Sequence, residues 1–179
     1  AHVSDPFAVG GLREAAERIV RAVNQGERIA ILGDYDVDGV SSTAMLVHLL
    51  RRLGADPAHF VPRRLEEGYG LSMAALDRVL AEAKPSLFIA LDCGTNSKPE
   101  VDRLKAEGVD VIVVDHHTAK EARVSCILVN PRVNDAPEAA WQSLCTAGLV
   151  FKLVHGLLKV LRLAGDERGT QIQVKDYLD

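Results

Sequence analysis

The amino-acid sequence predicts an α/β fold in which a mostly parallel sheet of about five strands carries helices on both faces. Short apolar runs of strand length alternate with longer segments in which apolar residues recur at helical spacing. Single helices of about 10 to 15 residues separate successive strands, and such connections join parallel strands by right-handed crossovers. Apolar residues make up 47% of the 179 positions, which is enough to bury such a sheet on both sides.

The predicted helices and strands alternate through most of the chain. The helices cover residues 11–25, 40–54, 72–83, 97–108 and 146–163, and the strands cover residues 28–33, 59–62, 87–91, 109–114 and 126–130. The first helix places Leu12, Ala16 and Ile19 on one face and ends at Gly26, a residue that suits a helix C-terminus. The apolar run that follows it is typical of a buried strand.

Capping and helix-breaking residues delimit the next helices. The second helix ends at Gly54, while the third has Ser72 as a suitable N-cap and Pro85 just beyond its end. Ser97 and Glu100 form a capping box at the start of the fourth helix.

The last third of the chain has fewer helical signals. A second capping box, Thr118 with Glu121, follows the fourth strand, and residues 132–143 form the longest predicted loop. The fifth helix, over residues 146–163, is the most apolar.

The charge balance neither indicates nor excludes a nucleic-acid partner. The chain has 21 basic and 25 acidic residues and a net charge of -4, whereas nucleic-acid-binding domains usually show a basic patch. Two basic pairs, Arg51 with Arg52 and Arg63 with Arg64, add local positive charge, although such side chains are usually solvated.

The cysteines indicate a reducing environment. Cys93, Cys126 and Cys145 are separated by 33 and 19 residues without a C-x-x-C pair, which argues against a zinc cluster and a disulfide framework. The apolar stretch after Gly148 is interrupted by Lys152, so we find no segment long enough to cross a bilayer. We therefore expect a soluble, cytoplasmic protein with no membrane partner.

An acidic stretch, GDYDVDGV at residues 33–40, follows the first predicted strand and contains Asp34, Asp36 and Asp38. The same pattern begins an EF-hand calcium loop, but the position that requires a bidentate glutamate is Met45. An EF-hand loop also follows a helix, whereas this stretch follows a strand. The stretch instead indicates a site at the carboxyl edge of a parallel sheet.

Potential metal ligands follow three of the predicted strands. They are Asp34, Asp36 and Asp38 after the first strand, Asp92 after the third, and Asp115, His116 and His117 after the fourth. Because the carboxyl ends of parallel strands share one edge of a sheet, we expect these side chains to converge. Carboxylates with one or two imidazoles suit manganese or magnesium, with zinc or iron less favoured in the absence of a thiolate.

Such a site suits hydrolysis of a phosphoester or phosphoanhydride. Two divalent ions that share an aspartate would offset the repulsion among the carboxylates, lower the pKa of a bridging water and clamp the attacking and leaving oxygens. Taken singly, Asp34 or Asp92 is more often a helix cap, and a His-His pair is more often a surface feature. Their joint occurrence at one topological position favours the metal site, with Cys93 as a packing residue beside it.

Three motifs taken together, GDYDVDG, LDCG and VVDHH, resemble those of the DHH phosphoesterase superfamily. The stretches RRLEEGYGL, VNP and LCTAGLVFKL are similar to the RecJ branch of single-strand-specific exonucleases, and the resemblance extends from about residue 5 to the C-terminus. The resemblance implies a 5′-to-3′ exonuclease on single-stranded DNA that depends on Mn²⁺ or Mg²⁺ and acts in recombination and repair.

The resemblance also implies roles for individual residues. Asp36 and Asp38 match the metal ligands of the first motif, and Asp92 matches the bridging aspartate of the second. His116 matches a metal ligand of the third motif, while His117 matches the residue that contacts the scissile phosphate.

Four further residues take implied roles around these ligands. Asp34 is placed to bind a metal directly or through water, and Asp115 to orient a ligand without binding metal itself. Arg63 and Arg64 precede EEGYG, a stretch that lies near the site in this branch, which implies phosphate contact by one of them.

The sequence departs from the superfamily pattern at its C-terminal end. A fourth-motif aspartate in a G-T-x-A-D segment is expected there, and Asp176 and Asp179 lack that context. We therefore expect residues 1–179 to be a DHH catalytic domain truncated before the fourth motif, without the DHH-associated DNA-binding domain. Contacts with a single-strand-binding protein and a helicase would then involve regions outside this sequence.

Two other functions stay open at this point. One is hydrolysis of a small phosphoester, such as a short oligonucleotide, a cyclic dinucleotide or pyrophosphate. The other is a non-catalytic scaffold that retains the fold. Because the fourth-motif aspartate is absent, we expect the isolated 179 residues to bind manganese weakly and to cleave DNA poorly.

Overall fold

The computed structural model describes residues 4–120 and 123–177. The helices are α1 (Leu12–Gln25), α2 (Val37–Arg52), α3 (Arg64–Glu67), α4 (Met73–Ala83), α5 (Lys98–Ala106), α6 (Pro131–Asn134), α7 (Thr146–Leu163) and α8 (Arg168–Gln171). The strands are β1 (Ile29–Gly33), β2 (Ala58–Phe60), β3 (Leu87–Leu91), β4 (Asp110–Val114) and β5 (Ile127–Val129). Short 3₁₀ helices cover Pro6–Ala8 and Val174–Tyr177.

The five strands form one parallel sheet in the order β2-β1-β3-β4-β5, which confirms the predicted fold class. β1 lies between β2 and β3, so the order of the strands reverses at this point. In open α/β sheets, loops diverge at such a reversal and leave a crevice at the carboxyl ends of the strands. The acidic stretch after β1 and the residues after β3 therefore flank this crevice.

Helices cover both faces of the sheet because the strands are apolar on both sides. Ile29 and Ile31 of β1 belong to the core beneath α1, α2 and α7, whereas Ala30 and Leu32 belong to the core beneath α4 and α5. All residues of β1 and β3 are buried. This double coverage explains why the strands appear in the sequence as continuous apolar runs rather than alternating patterns.

The structure corrects some expected helix boundaries. α2 begins at Val37, three residues earlier than predicted, because Asp36 caps it by accepting a hydrogen bond from the Gly39 N–H. α5 begins after Ser97 as predicted, but the Ser97 hydroxyl makes no capping bond and donates to the carbonyl of Leu71.

Two further predictions concern the segment between β4 and α7. The proposed second capping box cannot be described, because Glu121 lies outside the described residues. The predicted long loop starts with the short helix α6. Within residues 4–120 and 123–177, no helix is long and apolar enough to cross a membrane.

Candidate metal centre

A row of four polar residues crosses the carboxyl edge of the sheet, one residue beyond β1, β3, β4 and β5. The strand pairing continues into this row, since the Asp34 N–H donates to Leu91 O over 3.1 Å and the Asp92 N–H donates to Val114 O over 2.9 Å. The Asp115 N–H likewise donates to Val129 O over 3.0 Å. Asn130, Asp115, Asp92 and Asp34 are therefore neighbours in space, as the sequence predicted for the three aspartates.

The acidic stretch after β1 bends sharply into α2. Asp36 is the N-cap of that helix and Asp38 lies in its first turn. The bend brings Gly39 so close to the Asp34 carbonyl oxygen that an added Cβ would lie 2.3 Å from it. Only glycine allows this approach. In the first turn of α2, the Asp38 carboxylate accepts hydrogen bonds from the Thr146 and Ala147 N–H groups of α7 over 2.8 and 2.6 Å.

Asp38, Asp92 and His116 form the centre of the site. His116 Nε2 lies 3.6 Å from Asp38 Oδ2 and 3.4 Å from Asp92 Oδ1. Asp92 is only 1% exposed and has a left-handed backbone with φ +62°. Ligand atoms of Asp92, His116 and His117 all lie within 4.8 Å of one another, a spacing compatible with a bound metal ion.

The electrostatics of Asp92 favour a cation. Burial raises its pKa to about 7, a hydrogen bond from Thr146 opposes the shift, and the charges of Asp38 and Asp36 add to it. A carboxylate whose ionisation is opposed by burial and by neighbouring negative charges is stabilised by a nearby cation. The donor set of carboxylates and imidazole therefore fits a divalent ion.

Asp115 holds the second histidine. Its Oδ1 lies 2.7 Å from His117 Nδ1, and its carboxylate also accepts hydrogen bonds from the N–H groups of His116 and Thr95. Burial alone would raise the pKa of Asp115, but the bonds from Thr95 and His117 keep it below its ordinary value. Burial likewise opposes ionisation of His117, yet its pKa is raised because Asp115 supplies a hydrogen bond and a negative charge.

Sequence reasoning missed Thr95, Asn130 and Thr146, which support these ligands. Thr146 donates its hydroxyl to Asp92 Oδ1 over 2.7 Å, and Asn130 donates to Thr95 Oγ1 over 2.9 Å and to the His117 carbonyl over 2.8 Å. Asn130 had a recognisable signal, because it follows β5 as Asp115 follows β4. The signal for Thr146 was its place in the RecJ-like stretch LCTAGLVFKL, because no local pattern pairs it with Asp92, 54 positions earlier.

The two arginines of residues 63–64 have different surroundings. Arg64 donates to the Tyr69 hydroxyl over 2.7 and 3.1 Å, and its guanidinium lies 5.2 Å from the ring centre of Tyr35, in the acidic stretch. The two tyrosine rings are 5.6 Å apart. Arg63 instead pairs with Glu66 over 3.4 Å on the surface. The structure therefore links Arg64, rather than Arg63, to the acidic stretch.

Asp176 lies away from the site. It pairs with Arg52 over 3.1 Å at the C-terminal end of α2, while the site is at the N-terminal end of that 16-residue helix. The helix is about 24 Å long at its usual rise. Asp176 therefore does not reach the site, and Asp179 lies outside the described residues. Cys93 is 8% exposed and packs in the core, as expected for a packing residue.

A family profile described as DHH family, N-terminal domain, matches residues 28–179. The chain belongs to the DHH family. This DHH chain is 42% identical over 154 residues to the single-stranded-DNA-specific exonuclease RecJ of Thermus thermophilus, a match that covers 86% of the chain and 22% of the relative. It is 39% identical over 155 residues to RecJ of Bacillus subtilis, covering 86% of the chain and 20% of that relative.

A solved structure also matches this chain in fold. The DHH chain matches the crystal structure of an exonuclease RecJ bound to manganese with a TM-score of 0.77 and 42% identity, over 86% of this chain and 38% of the other. The chain spans about a fifth of the length of these two curated relatives. The resemblance predicted from the three motifs is thus confirmed at the level of the family and the fold.

Proposed function

We propose that this DHH domain carries the metal-dependent hydrolytic site of a 5′-to-3′ exonuclease that degrades single-stranded DNA in recombination and repair. The observation that carries the proposal is the position of His116 Nε2, which lies 3.6 Å from Asp38 Oδ2 and 3.4 Å from Asp92 Oδ1 at the crevice of the sheet. The similarity of the chain to single-stranded-DNA-specific exonucleases supports the choice of substrate. The 5′-to-3′ direction follows from the resemblance to the RecJ branch.

The proposed cofactors are two Mn²⁺ or Mg²⁺ ions. The residues proposed to hold them are Asp34, Asp36, Asp38, Asp92 and His116. Asp92 is proposed as the shared ligand because it is the most buried of the set and lies beside both Asp38 and His116. When bound, the ions would lower the pKa of the attacking water and offset charge on the phosphate.

The protein side chains around the ions position the substrate. We propose that His117, whose side chain is 55% exposed, contacts the scissile phosphate, while Asp115 fixes its ring. The raised pKa of His117 favours a proton on the ring, and a charged ring would hold an anionic phosphate.

The basic and aromatic residues beside the site support a nucleotide substrate. Tyr35 and Tyr69 are 37% and 62% exposed, and rings of this kind stack on nucleobases. Arg64 lies within reach of both rings, and Arg63 is exposed next to it. We propose that one of these arginines contacts a phosphate. Inorganic pyrophosphate would make no use of the aromatic rings.

The substrate assay uses the full-length protein with Mn²⁺ and three substrates: long 5′-phosphorylated single-stranded DNA, a dinucleotide and pyrophosphate. We expect mononucleotides from the long DNA, and we expect Asp92→Ala to reduce their release to background. Asp176→Ala is the matched control, because this carboxylate pairs with Arg52 far from the site. Robust cleavage by Asp92→Ala would contradict the site, and preferential hydrolysis of the dinucleotide would indicate a small-molecule phosphoesterase instead.

Two further aspects of the proposal concern the cell. We propose that the protein lies in the cytoplasm, because its separated cysteines suit a reducing compartment. We also propose that single-strand-binding protein and helicase contact regions of the full-length protein other than this domain. Co-purification of either partner with residues 1–179 alone would contradict that assignment.

A further inference from the structure

We infer that Thr146 is a positioning residue for the metal ligands, and that the N-terminal turn of α7 sets the orientation of Asp92 and Asp38. This inference rests on the metal centre of the proposed function. It concerns the start of α7, which lies outside the three motifs and to which the sequence analysis gave no role at the metal site.

The side-chain contact of Thr146 acts on Asp92. Its hydroxyl donates to Asp92 Oδ1 over 2.7 Å, and both residues are essentially inaccessible to solvent. A short hydrogen bond to a charged carboxylate is stronger than one between neutral groups. The bond engages one lone pair of Oδ1 and thereby resists rotation of the carboxylate, which leaves the remaining lone pairs in a fixed direction.

The backbone of the same turn acts on Asp38. The Thr146 N–H donates to one carboxylate oxygen and the Ala147 N–H donates to the other. Cys145, the N-cap residue of α7, makes no side-chain capping bond. The carboxylate of Asp38, 108 positions before Thr146, caps the helix instead. The positive end of an 18-residue helix also offsets negative charge at the site.

The rigidity of α7 makes it a suitable reference for the ligands. Leu149 and Leu153, which follow in its first two turns, are fully buried in the core. In contrast, the acidic stretch that carries Asp38 has exposed neighbours, including Val37 at 82%. We therefore attribute the orientation of the Asp38 carboxylate to α7 rather than to the acidic stretch that carries it.

The test compares Thr146→Val, which keeps the shape and loses the hydroxyl, with Thr146→Ser, which keeps the hydroxyl. Mn²⁺ binding to the 179-residue chain is followed by electron paramagnetic resonance of the free ion, which also measures weak binding. We expect about 10- to 100-fold weaker Mn²⁺ binding by Thr146→Val, and near-normal binding by Thr146→Ser. Thr170→Val is the control, because this exposed threonine donates only to the Glu167 carbonyl.

Thermal unfolding in EDTA separates positioning from folding. We expect Thr146→Val to remain folded without metal, and unfolding of this variant under those conditions would overturn the inference because it would show a structural role. Unchanged Mn²⁺ affinity in a folded Thr146→Val would also overturn it and leave the proposed metal centre intact. Absence of Mn²⁺ binding by the unaltered chain would overturn the inference and the metal centre together.

Discussion

Individual residues at the carboxyl edge of the sheet divide into those that contact the centre directly and those that hold them. His116 Nε2 lies within 3.6 Å of carboxylate oxygens of both Asp38 and Asp92. Asp115 is as buried as Asp92, but its oxygens accept hydrogen bonds from backbone N–H groups and lie against the ring nitrogen of His117. Asp92 and Asp115 follow neighbouring strands at equivalent positions, yet Asp92 lies at the centre while Asp115 orients His117, because their hydrogen-bond partners differ.

The first prediction concerns Asp115. Asp115→Asn removes the charge that stabilises protonated His117, so we expect DNA cleavage by the full-length protein to fall about 10- to 100-fold. Mn²⁺ affinity should change less than about threefold, because Asp115 contacts N–H groups rather than the centre. A parallel measurement of turnover and Mn²⁺ binding checks both expectations. An equal loss of affinity and turnover would identify Asp115 as a metal ligand and contradict its positioning role.

At the scale of elements, contacts between helices and strands distant in the chain secure both ends of the sheet. α7 fixes the carboxyl edge through its first turn, as described above. At the amino edge, Arg18 of α1 bonds to Asp110 at the start of β4 over 2.7 Å and to Glu27 over 2.7 Å. Arg18 is only 8% exposed, and its pair with Glu27 is nearly buried, whereas its partner on the sheet, Asp110, is 60% exposed.

The second prediction concerns that ion pair. Arg18→Ala leaves Glu27, whose side chain is 17% exposed, without its partner, and we expect a loss of about 3 kcal/mol in the free energy of unfolding. Arg13→Ala on the same helix breaks only a solvent-exposed pair with Glu17 and should cost less than about 1 kcal/mol. Urea unfolding in EDTA measures both values. Equal losses in the two variants would show that Arg18 contributes no more than a surface charge.

At the scale of the whole molecule, the metal site opposes the stability of the metal-free fold. Burial and the neighbouring carboxylates raise the pKa of Asp92 from 3.8 to about 7. A carboxyl group with a raised folded-state pKa lowers stability progressively as pH rises from its unfolded pKa to its folded pKa. The raised pKa of His117 has the same consequence, because its stabilising contribution is full below 6.5 and is lost as pH rises through the folded pKa.

The third prediction follows from these signs. Because Asp92 must ionise between pH 5.5 and pH 8, it should lower the free energy of unfolding in EDTA by about 2 kcal/mol over that range. The lowered pKa of His155, caused mainly by burial, acts in the opposite direction, so the comparison is made against Asp92→Asn. We expect a smaller decline in that variant, and Mn²⁺ should reverse the decline in the unaltered chain. Identical pH profiles for the two chains would contradict the buried charge at Asp92.

The sequence by itself determined the fold class, the family and the identity of the converging residues. Each of these rests on local information: apolar runs of strand length, helical spacing and the residues directly after each strand. In a parallel sheet the carboxyl ends of all strands share one edge, so Asp34, Asp92 and Asp115 had to be neighbours once their strands were recognised.

Only the tertiary structure decided how the residues at that edge are held. The bonds from Thr146 to Asp92 and Asp38 join positions 54 and 108 apart, and neither has a signal in the local pattern. The same holds for Ser97, which bonds to Leu71 instead of capping its own helix, and for Asp176, which pairs with Arg52 at the far end of α2. Local spacing predicts where a chain turns or ends a strand, whereas hydrogen-bond partners depend on which distant segments the packed core brings together.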